Sequence, residues 1–439
     1  MKFKSSWITT KDFENLKPIN VFYKQYVDRD MKETSFENYH VHFVKEFDVD
    51  KIGDYEIMIS ADDYYKLYIN GEFVCQGPAP GYFDSYNYNR VDISKFLKAG
   101  KNIIAVHVFY QGLINRVWNS GDDRMGLIAD IFRGGEFVFG TDETWFYELA
   151  TEYSGDTTPY FTQFREDIDF RKKNASWKTD VNSGNYKNAE ISKFGDWKFK
   201  ENPVPTVVGY VVKPIKVEKR NGNTYFYDFG NEITGQIYFK AKGELGQTVT
   251  VKCGEELCDD GSVRCEMRCN CNYYDICTLS GAEDEFEFYD YKGFRYAQIE
   301  WEGELPFNPD EVCALVRHHK FREKTVIKSD MPYLEEIWGI CKNALKYSVQ
   351  EAYLDCPTRE KGQYSGDFTT SGFAPLYLTG DAEMYKKTLF DFAYSAKVCK
   401  GLMAVAPGSV MQEIAEFSLE YPLQVLTYYK ITKDMDTLK

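Results

Sequence analysis

The sequence predicts a multidomain β-plus-α protein: two β-sandwiches followed by the beginning of a helical array. Three observations carry that prediction. The 439 residues exceed one ordinary core of ~100 to 200 residues, so about three domains are expected. Apolar runs of about four to eight residues, separated by turn residues, recur through residues 1–150 and 204–322. After Ser329-Asp330 the hydrophobic period changes from two to about 3.6. With 43% hydrophobic residues, and 7 Trp, 34 Tyr and 32 Phe, the chain carries far too much apolar surface to stay disordered.

Residues 1–150 read as an N-terminal β-sandwich. The clearest hairpin is Tyr65–Ile69, Asn70-Gly71, Glu72–Cys75. Asn-Gly suits a two-residue turn because both central positions need positive φ, which these residues tolerate best. Asn102–Tyr110 is a continuous apolar run, as a strand buried on both faces would be, and Leu127–Phe139 reads as a hairpin broken at Gly134-Gly135.

Residues 151–203 are different. Val, Ile, Leu and Met contribute only Ile168, Val181 and Ile191, while aromatic residues persist. Such a connecting segment cannot build its own core and is expected to drape over its neighbours, held by single rings such as Trp177 and Trp197. Strand signals return in 204–322, with a turn at Asn221-Gly222, the run Gly235–Lys240, Thr248–Cys253 and the alternating Phe294–Trp301. These predict a second β-sandwich. Its cysteines 265, 269, 271 and 277 are separated by three, one and five residues. Zinc sites usually repeat Cys-x2-Cys, so small buried or strand-edge thiols are expected here rather than a metal.

Residues 323–439 are expected to be helical. Pro332 is placed in a first turn, and Leu334, Ile337, Trp338, Cys341, Leu345 and Val349 follow at helical spacing. This helix is expected to end near Leu354, because Cys356 precedes Pro357 and is pushed from the helical region. Further helices are expected over Thr369–Leu378, Ala382–Val398 and Glu416–Lys430. A weak repeat sets Thr379-Gly-Asp381 and Thr432-Lys-Asp434 about 53 residues apart, each Asp where a helix start needs a cap. That stride is one of helical-hairpin arrays, whose units bury their apolar faces only against one another. The chain stops after about two units, so the helical domain is expected to be incomplete. Leu419, Leu423 and Leu426 should then lie exposed and favour association into homo-oligomers.

Composition removes several function classes. Against 53 Lys and Arg stand 68 Asp and Glu, a net charge of −15 that repels phosphate backbones and anionic lipid headgroups. Nucleic acid and membrane surfaces are therefore not expected partners. The N-terminus holds no apolar run suited to a signal peptide, and no later stretch approaches the ~20 residues of a membrane span, so a soluble, cytoplasmic protein is expected. Eleven cysteines, from Cys75 to Cys399, form no dense paired framework and read as reduced thiols. The five histidines, including His40 and His42 on one strand face, read as packing residues rather than metal ligands. No Gly-x-Ser-x-Gly elbow or glycine-rich phosphate loop occurs.

One segment concentrates chemistry. Asp355-Cys-Pro-Thr-Arg359-Glu360-Lys-Gly362-Gln-Tyr364-Ser-Gly366-Asp367 packs three carboxylates and two bases between two predicted helices. Its glycines and proline permit or restrict special backbone angles, so acidic side chains can turn toward a common point. The alternative is a solvated, well-capped helix connection. The segment resembles the signature of bacterial α-L-rhamnosidases of glycoside hydrolase family 78, where an Asp-Cys-Pro-x-Arg-Glu run opens a catalytic (α/α)6 barrel. Ala61–Gly71, Asp92–Leu97 and the Gly100-Lys-Asn-Ile run resemble the same family's N-terminal β-domain. Asp228-Phe-Gly230, Gly235 and Tyr291-Lys-Gly-Phe-Arg-Tyr296 resemble the β-sandwich before its barrel.

The resemblance implies an inverting glycosidase that releases terminal α-L-rhamnose from glycosides or oligosaccharides without a cofactor. It makes Glu360 the general acid, and gives Asp355, Arg359 and Asp367 the task of holding rhamnose hydroxyls. Tyr364 stands where the family commonly has Trp, a smaller stacking platform for the sugar. Inversion needs a second carboxylate as base. In the family that base lies far past the acid, so it is expected beyond Lys439 and this chain is expected to be catalytically impaired. Glu413, Glu416 and Glu420 match no family base position; Glu416 stands where relatives often have Asp and could line a pocket wall. Arg359 and Lys361 flank Glu360 and favour its charged form, so burial or the neighbouring Asp355 and Asp367 must offset them in a working acid. The rival expectation is a carbohydrate-binding β-domain protein with a remnant helical segment.

Overall fold

A computed structural model describes residues 2–19, 23–24, 34–158, 162–195, 197–396 and 401–438, without the side chains of residues 23, 24, 83 and 411. The described chain forms two compact units. The first comprises residues 1–150, 174–206 and 387–419, the second 151–173, 207–386 and 420–439.

The first unit holds the predicted N-terminal sandwich. One sheet runs in the order Glu190–Ile191, Ile8–Thr9, Gly126–Arg133, Tyr55–Asp62, Tyr86–Asp92 and Phe199–Glu201, with Glu136–Gly140 also paired to Gly126–Arg133. The other runs Lys187–Asn188, Phe146–Leu149, Tyr39–Val49, Gly100–Tyr110, Tyr64–Ile69 and Glu72–Gly77. Val41, Phe43, Leu67, Ile104 and Val106 of one sheet and Ile57, Ile59, Leu127 and Ile131 of the other share one buried cluster, whose burial is the main force holding the unit together. Both predicted turns are present: Asn70 and Gly71 take φ of 51° and 87°, and Gly134 and Gly135 take 55° and 84°. Part of the aromatic segment is stitched into this unit through short edge strands on both sheets. Trp177 stacks on His42 at 3.8 Å and Trp197 on Trp7 at 4.2 Å, as expected of single rings serving as anchors.

The second unit contains the second β-domain, whose strands join in one hydrogen-bonded network. Its order is Tyr153–Ser154, Asp167–Asp169, Tyr274–Thr278, Thr248–Gly254, Lys292–Trp301, Thr224–Lys242, Cys313–His318 and Val208–Val212. The long strand Thr224–Lys242 links it all, pairing also with Lys216–Arg220 and Glu283–Phe286. Alternation is visible in Thr248–Gly254, where Val249, Val251 and Cys253 point into the core. Of the clustered cysteines, Cys271 and Cys277 are fully buried, Cys265 is half-buried and Cys269 is exposed. Cys399 lies outside the described residues.

Among the described residues five α-helices follow: α1 Leu334–Ser348, α2 Ser365–Ser371, α3 Phe373–Thr379, α4 Ala382–Ser395 and α5 Ala415–Thr432. Three helix expectations need correction. Pro332 is not in a first turn, since α1 starts at Leu334 behind Tyr333 in a left-handed conformation. That helix also stops six residues before Leu354. Gln350 and Glu351 leave it to meet Arg317, whose Nε donates to Gln350 at 3.1 Å and whose Nη2 donates to Glu351 at 2.7 Å, while His319 N donates to Val349 O. A buried guanidinium without these partners would cost more than the lost helical turns. The predicted Thr369–Leu378 helix is two helices meeting at Gly372, the first beginning at Ser365. The end predicted for the fourth helix, Val398, lies outside the described residues.

The predicted repeat is exact in its hydrogen bonds. Thr379 Oγ1 donates to Pro375 O and accepts from Asp381 N, whose carboxylate takes Glu383 N. Thr432 Oγ1 donates to Tyr428 O and accepts from Asp434 N, whose carboxylate takes Asp436 N. Gly380 and Lys433 between them share left-handed φ, 68° and 60°. Leu419, Leu423 and Leu426 are exposed as expected, at 73%, 62% and 42%. The apolar stripe of α1 is not buried either: Ile337 and Ile340 are exposed, and Tyr347 is its buried residue. No described helix is long and apolar enough to cross a membrane.

Candidate active site

The signature segment forms a closed loop between α1 and α2, within the second unit. Asp355 N donates to Gly362 O at 2.9 Å and Gly362 N donates to the Asp355 carboxylate at 2.8 Å. Between them the chain bulges out with Thr358, Arg359 and Glu360 at its crest. Lys361 takes the left-handed conformation, φ 54°, which reverses the chain so that the two ends meet.

Residues of the β-domain and of the connecting segment hold the crest. Thr358 O accepts from Tyr273 Oη at 2.7 Å and from Gln163 Nε2 at 3.1 Å. Lys361 Nζ donates to Asp290 at 2.6 Å and to Tyr291 O at 2.7 Å, lying over the Tyr291 ring. Burial alone would raise the Asp290 carboxyl, but the Lys361 cation, helped by Arg317 and Lys292, brings it below its ordinary value. Glu166 braces the same corner, accepting Tyr289 N and Asp290 N at 2.5 Å each. Gly293 is needed here, since a Cβ on it would meet Thr358 Cγ2 at 2.7 Å. Gly235 is equally constrained, because its Cβ would meet Leu315 O at 2.4 Å. Arg295 forks onto Asp228 with two bonds of 2.9 Å, and Gly230 N donates to that same carboxylate.

On this support Arg359, Glu360 and Tyr364 come together. Tyr364 Oη donates to Glu360 Oε2 at 2.5 Å, and Arg359 Nη2 donates to Glu360 Oε1 at 3.3 Å. Of the two cations flanking Glu360, therefore, one touches it and the other is committed to Asp290. Asp355 is half-buried in the loop closure. Burial raises its carboxyl, Gly362 N draws it partly back, and the charge of Glu360 pushes it up again. Asp367 lies in the first turn of α2, exposed. Its carboxyl is raised by partial burial and then by the charges of Glu360 and Glu420. Three carboxylates and one guanidinium thus share a small region of one loop, an arrangement suited to proton transfer and to hydrogen bonding of sugar hydroxyls.

Sequence reasoning missed the supporting groups. Gln163 and Glu166 come from the aromatic connecting segment, which showed no motif, and Tyr273 and Asp290 from the β-domain. Asp290 stands directly before the Tyr291-Lys-Gly-Phe run, the one signal that could have pointed to it. Glu420 was not given a role, yet it acts on Asp367 and is fixed by Thr369 Oγ1 at 2.5 Å, with Gln424 joining Thr369 and Ser365 O. Among the described residues no group of three or more His, Cys, Asp or Glu is placed to hold a metal. In the first unit His40, His42 and His107 form a buried packed group, with His40 Nδ1 and His107 Nε2 3.0 Å apart.

Comparison with known proteins agrees with this architecture. Residues 218–318 match the bacterial α-L-rhamnosidase concanavalin-like domain and 322–439 the bacterial α-L-rhamnosidase six-hairpin glycosidase domain. Residues 4–134 match the sugar-binding domain of glycosyl hydrolases family 2. The α-L-rhamnosidase of Formosa agariphila is 24% identical over 394 residues, 80% of this chain and 39% of that protein. That of Streptomyces avermitilis is 23% identical over 372 residues, 78% of this chain and 34% of that protein. The chain thus spans well under half the length of these curated relatives. The crystal structure of the family 78 rhamnosidase of Bacillus sp. GL1 superposes with a TM-score of 0.86 at 14% identity, over 100% of this chain and 68% of that one. The Streptomyces avermitilis α-L-rhamnosidase complexed with L-rhamnose gives 0.73 at 19% identity, over 92% and 41%. Two adjoining rhamnosidase domain matches and curated relatives of that name make this chain a bacterial α-L-rhamnosidase-like protein, which shares its fold with the family 78 rhamnosidase of Bacillus sp. GL1.

Proposed function

We propose that the chain carries the acid half of an inverting glycoside hydrolase that releases terminal α-L-rhamnose from rhamnosides. The observation behind this reading is the Tyr364–Glu360–Arg359 contact, which fixes one carboxylate at the crest of a loop with Asp355 and Asp367 beside it. Glu360 protonates the departing glycosidic oxygen. Asp355, Asp367 and Arg359 hold the hydroxyls of the rhamnose ring, and Tyr364 orients Glu360 through its hydroxyl while offering a ring to the sugar. Inversion also needs a carboxylate base on the opposite face of the sugar, with a gap of ~6.5 to 9.5 Å that admits water. No carboxylate of this chain is assigned that role, and Glu420 is read as a wall of the site. No metal or cofactor takes part in the proposed chemistry.

Hydrolysis of 4-nitrophenyl α-L-rhamnopyranoside tests the reading. The 439-residue chain and a version continued to the next stop codon are each compared with their Glu360→Gln counterparts. Activity in the continued wild type that Glu360→Gln abolishes supports it. A folded protein without activity in either form favours the second reading, a non-catalytic carbohydrate-binding protein, which the sugar-binding domain match over residues 4–134 supports.

A further inference from the structure

Outside the signature segment, three polar side chains converge on one phenol oxygen. Tyr210 lies on Val208–Val212, a strand at the edge of the β-domain network, and is 38% exposed. Its Oη is 3.2 Å from Nε2 of His318, on the paired strand, and 3.1 Å from Oη of Tyr347, on α1. Lys346 Nζ donates to the same oxygen at 2.9 Å. His318 and Tyr347 are buried, so these two partners are fixed in place while Tyr210 itself stays open to solvent.

The proton positions follow from the partners. His318 Nδ1 is 2.5 Å from His319 O, and a carbonyl only accepts, so Nδ1 carries a proton. Burial brings His318 down to about 4, so near neutral pH its ring is uncharged and Nε2 is bare. Nε2 therefore accepts the one proton of Tyr210. The Tyr210 oxygen is left as the acceptor for Lys346 and for Tyr347, whose own proton is held on by burial and then by its bond to Tyr210. A base on the proton, with two donors on the oxygen and one of them cationic, is the arrangement that makes a phenol nucleophilic.

Other tyrosines are held the opposite way. Tyr39, Tyr238 and Tyr428 donate to the carboxylates of Asp12, Glu285 and Asp434. Burial first, and then those carboxylates, raise the three phenols above their ordinary value.

We propose that Tyr210 is a modification site that takes an acyl group from an activated ester. Its Oη attacks the acyl carbon and forms the new C–O bond, while its proton passes to His318 Nε2. The bond from the acyl carbon to the leaving oxygen breaks, and that oxygen departs with the electron pair. The imidazolium then returns its proton to water. Lys346, donating as an ammonium, has no lone pair with which to compete. The site is independent of the rhamnosidase reading.

The probe is 4-nitrophenyl acetate, added to the 439-residue chain, with nitrophenolate release and peptide mapping by mass spectrometry as readouts. An acetyl group on Tyr210 that hydroxylamine removes is expected, formed at least about tenfold faster than on N-acetyltyrosine amide. Its rate should be level from about pH 5 to about pH 7, because His318 removes the proton, whereas an unassisted phenol gains about tenfold per pH unit below its value near 10. Lys346→Gln, at a half-buried position, should slow acetylation about tenfold by removing the charged donor, and Lys346→Arg should restore part of that loss. His318→Gln should slow it and bring back the pH dependence of an ordinary phenol. A hydroxylamine-stable acetyl group on Lys346 in place of Tyr210, a Tyr210 rate no faster than that of the model amide, or a rate unchanged in Lys346→Gln would each overturn the proposal.

Discussion

Lys361 follows Glu360 in the chain, yet its Nζ points away from that carboxylate and sits 2.6 Å from Asp290 on the β-domain. The loop bearing the proposed acid is therefore clamped to the strand domain by a largely buried ion pair, with the lysine side chain 13% and the aspartate 34% exposed. Removing one partner of such a pair leaves the other charge poorly solvated. Lys361→Met and Asp290→Asn are each expected to destabilise the second unit by about 3 kcal/mol in urea unfolding. The double variant should recover at least about 1 kcal/mol of the summed loss. Strictly additive losses would mean that the pair does not clamp the loop.

Tyr364 Oη donates to the Glu360 carboxylate at 2.5 Å. If Tyr364 orients the acid, Tyr364→Phe should lower kcat/KM for an aryl rhamnoside about tenfold, because the hydrogen bond that positions Glu360 is lost while the acid remains. Glu360→Gln should cost a further ~10²-fold or more, in the range of lost general acid catalysis. The comparison belongs in a version of the protein that hydrolyses the substrate. Equal activities for Tyr364→Phe and wild type would remove Tyr364 from the proposed site.

Gly293 passes so close beneath the loop that a methyl group has no room, with Thr358 Cγ2 at 2.7 Å and Pro357 Cγ at 3.3 Å from a built Cβ. Gly293→Ala should therefore destabilise the protein by about 1 to 3 kcal/mol. Pairing it with Thr358→Ser, which deletes the clashing methyl, should restore much of that loss. A thermal melt of the three variants reads both effects. No rescue would place the strain in the strand itself rather than in its contact with the loop.

What the sequence made legible follows the range of the interactions. Local rules were enough for the turns at Asn70-Gly71 and Gly134-Gly135, whose positive φ depends on two residues each, and for the paired Thr-x-Asp caps at 379–381 and 432–434. Periodicity placed the strands because Val249, Val251 and Cys253 must all face one way. The helix boundaries near the site were misplaced because they answer to distant partners. Arg317, more than thirty residues from Gln350 and Glu351, ends α1 early. Within the site, Arg359, Glu360 and Tyr364 could be named together because they share one short segment. Gln163 and Asp290 could not, since they reach the loop from some 70 to 200 residues away, and Glu166 acts through the Asp290 backbone. A single sequence carries no mark of such pairs.

The buried histidines of the first unit give a prediction whose sign follows from their protonation. His40 and His107 face each other at 3.0 Å beneath Trp177, which stacks on His42. Burial, with the nearby Lys66 charge, brings His40 down to about 3, and burial with the charges of its histidine and lysine neighbours holds His107 well below its ordinary value. An unfolded histidine titrates near 6.5. Depressed folded values mean that the unfolded chain binds more protons, so the stabilising contribution is fully present above about pH 6.5 and is lost as pH falls toward 3. Asp63 and Asp122 in the same unit have the opposite sign: burial raises them to about 6 and about 7, so their contribution is present below about pH 4 and is lost as pH rises through those values. Thermal melts from pH 4 to 8 should accordingly show an acid limb that flattens in His40→Gln and an alkaline limb that flattens in Asp122→Asn. An acid limb unchanged in His40→Gln would show that this histidine is already protonated in the folded protein, or that its neutral form contributes nothing to stability.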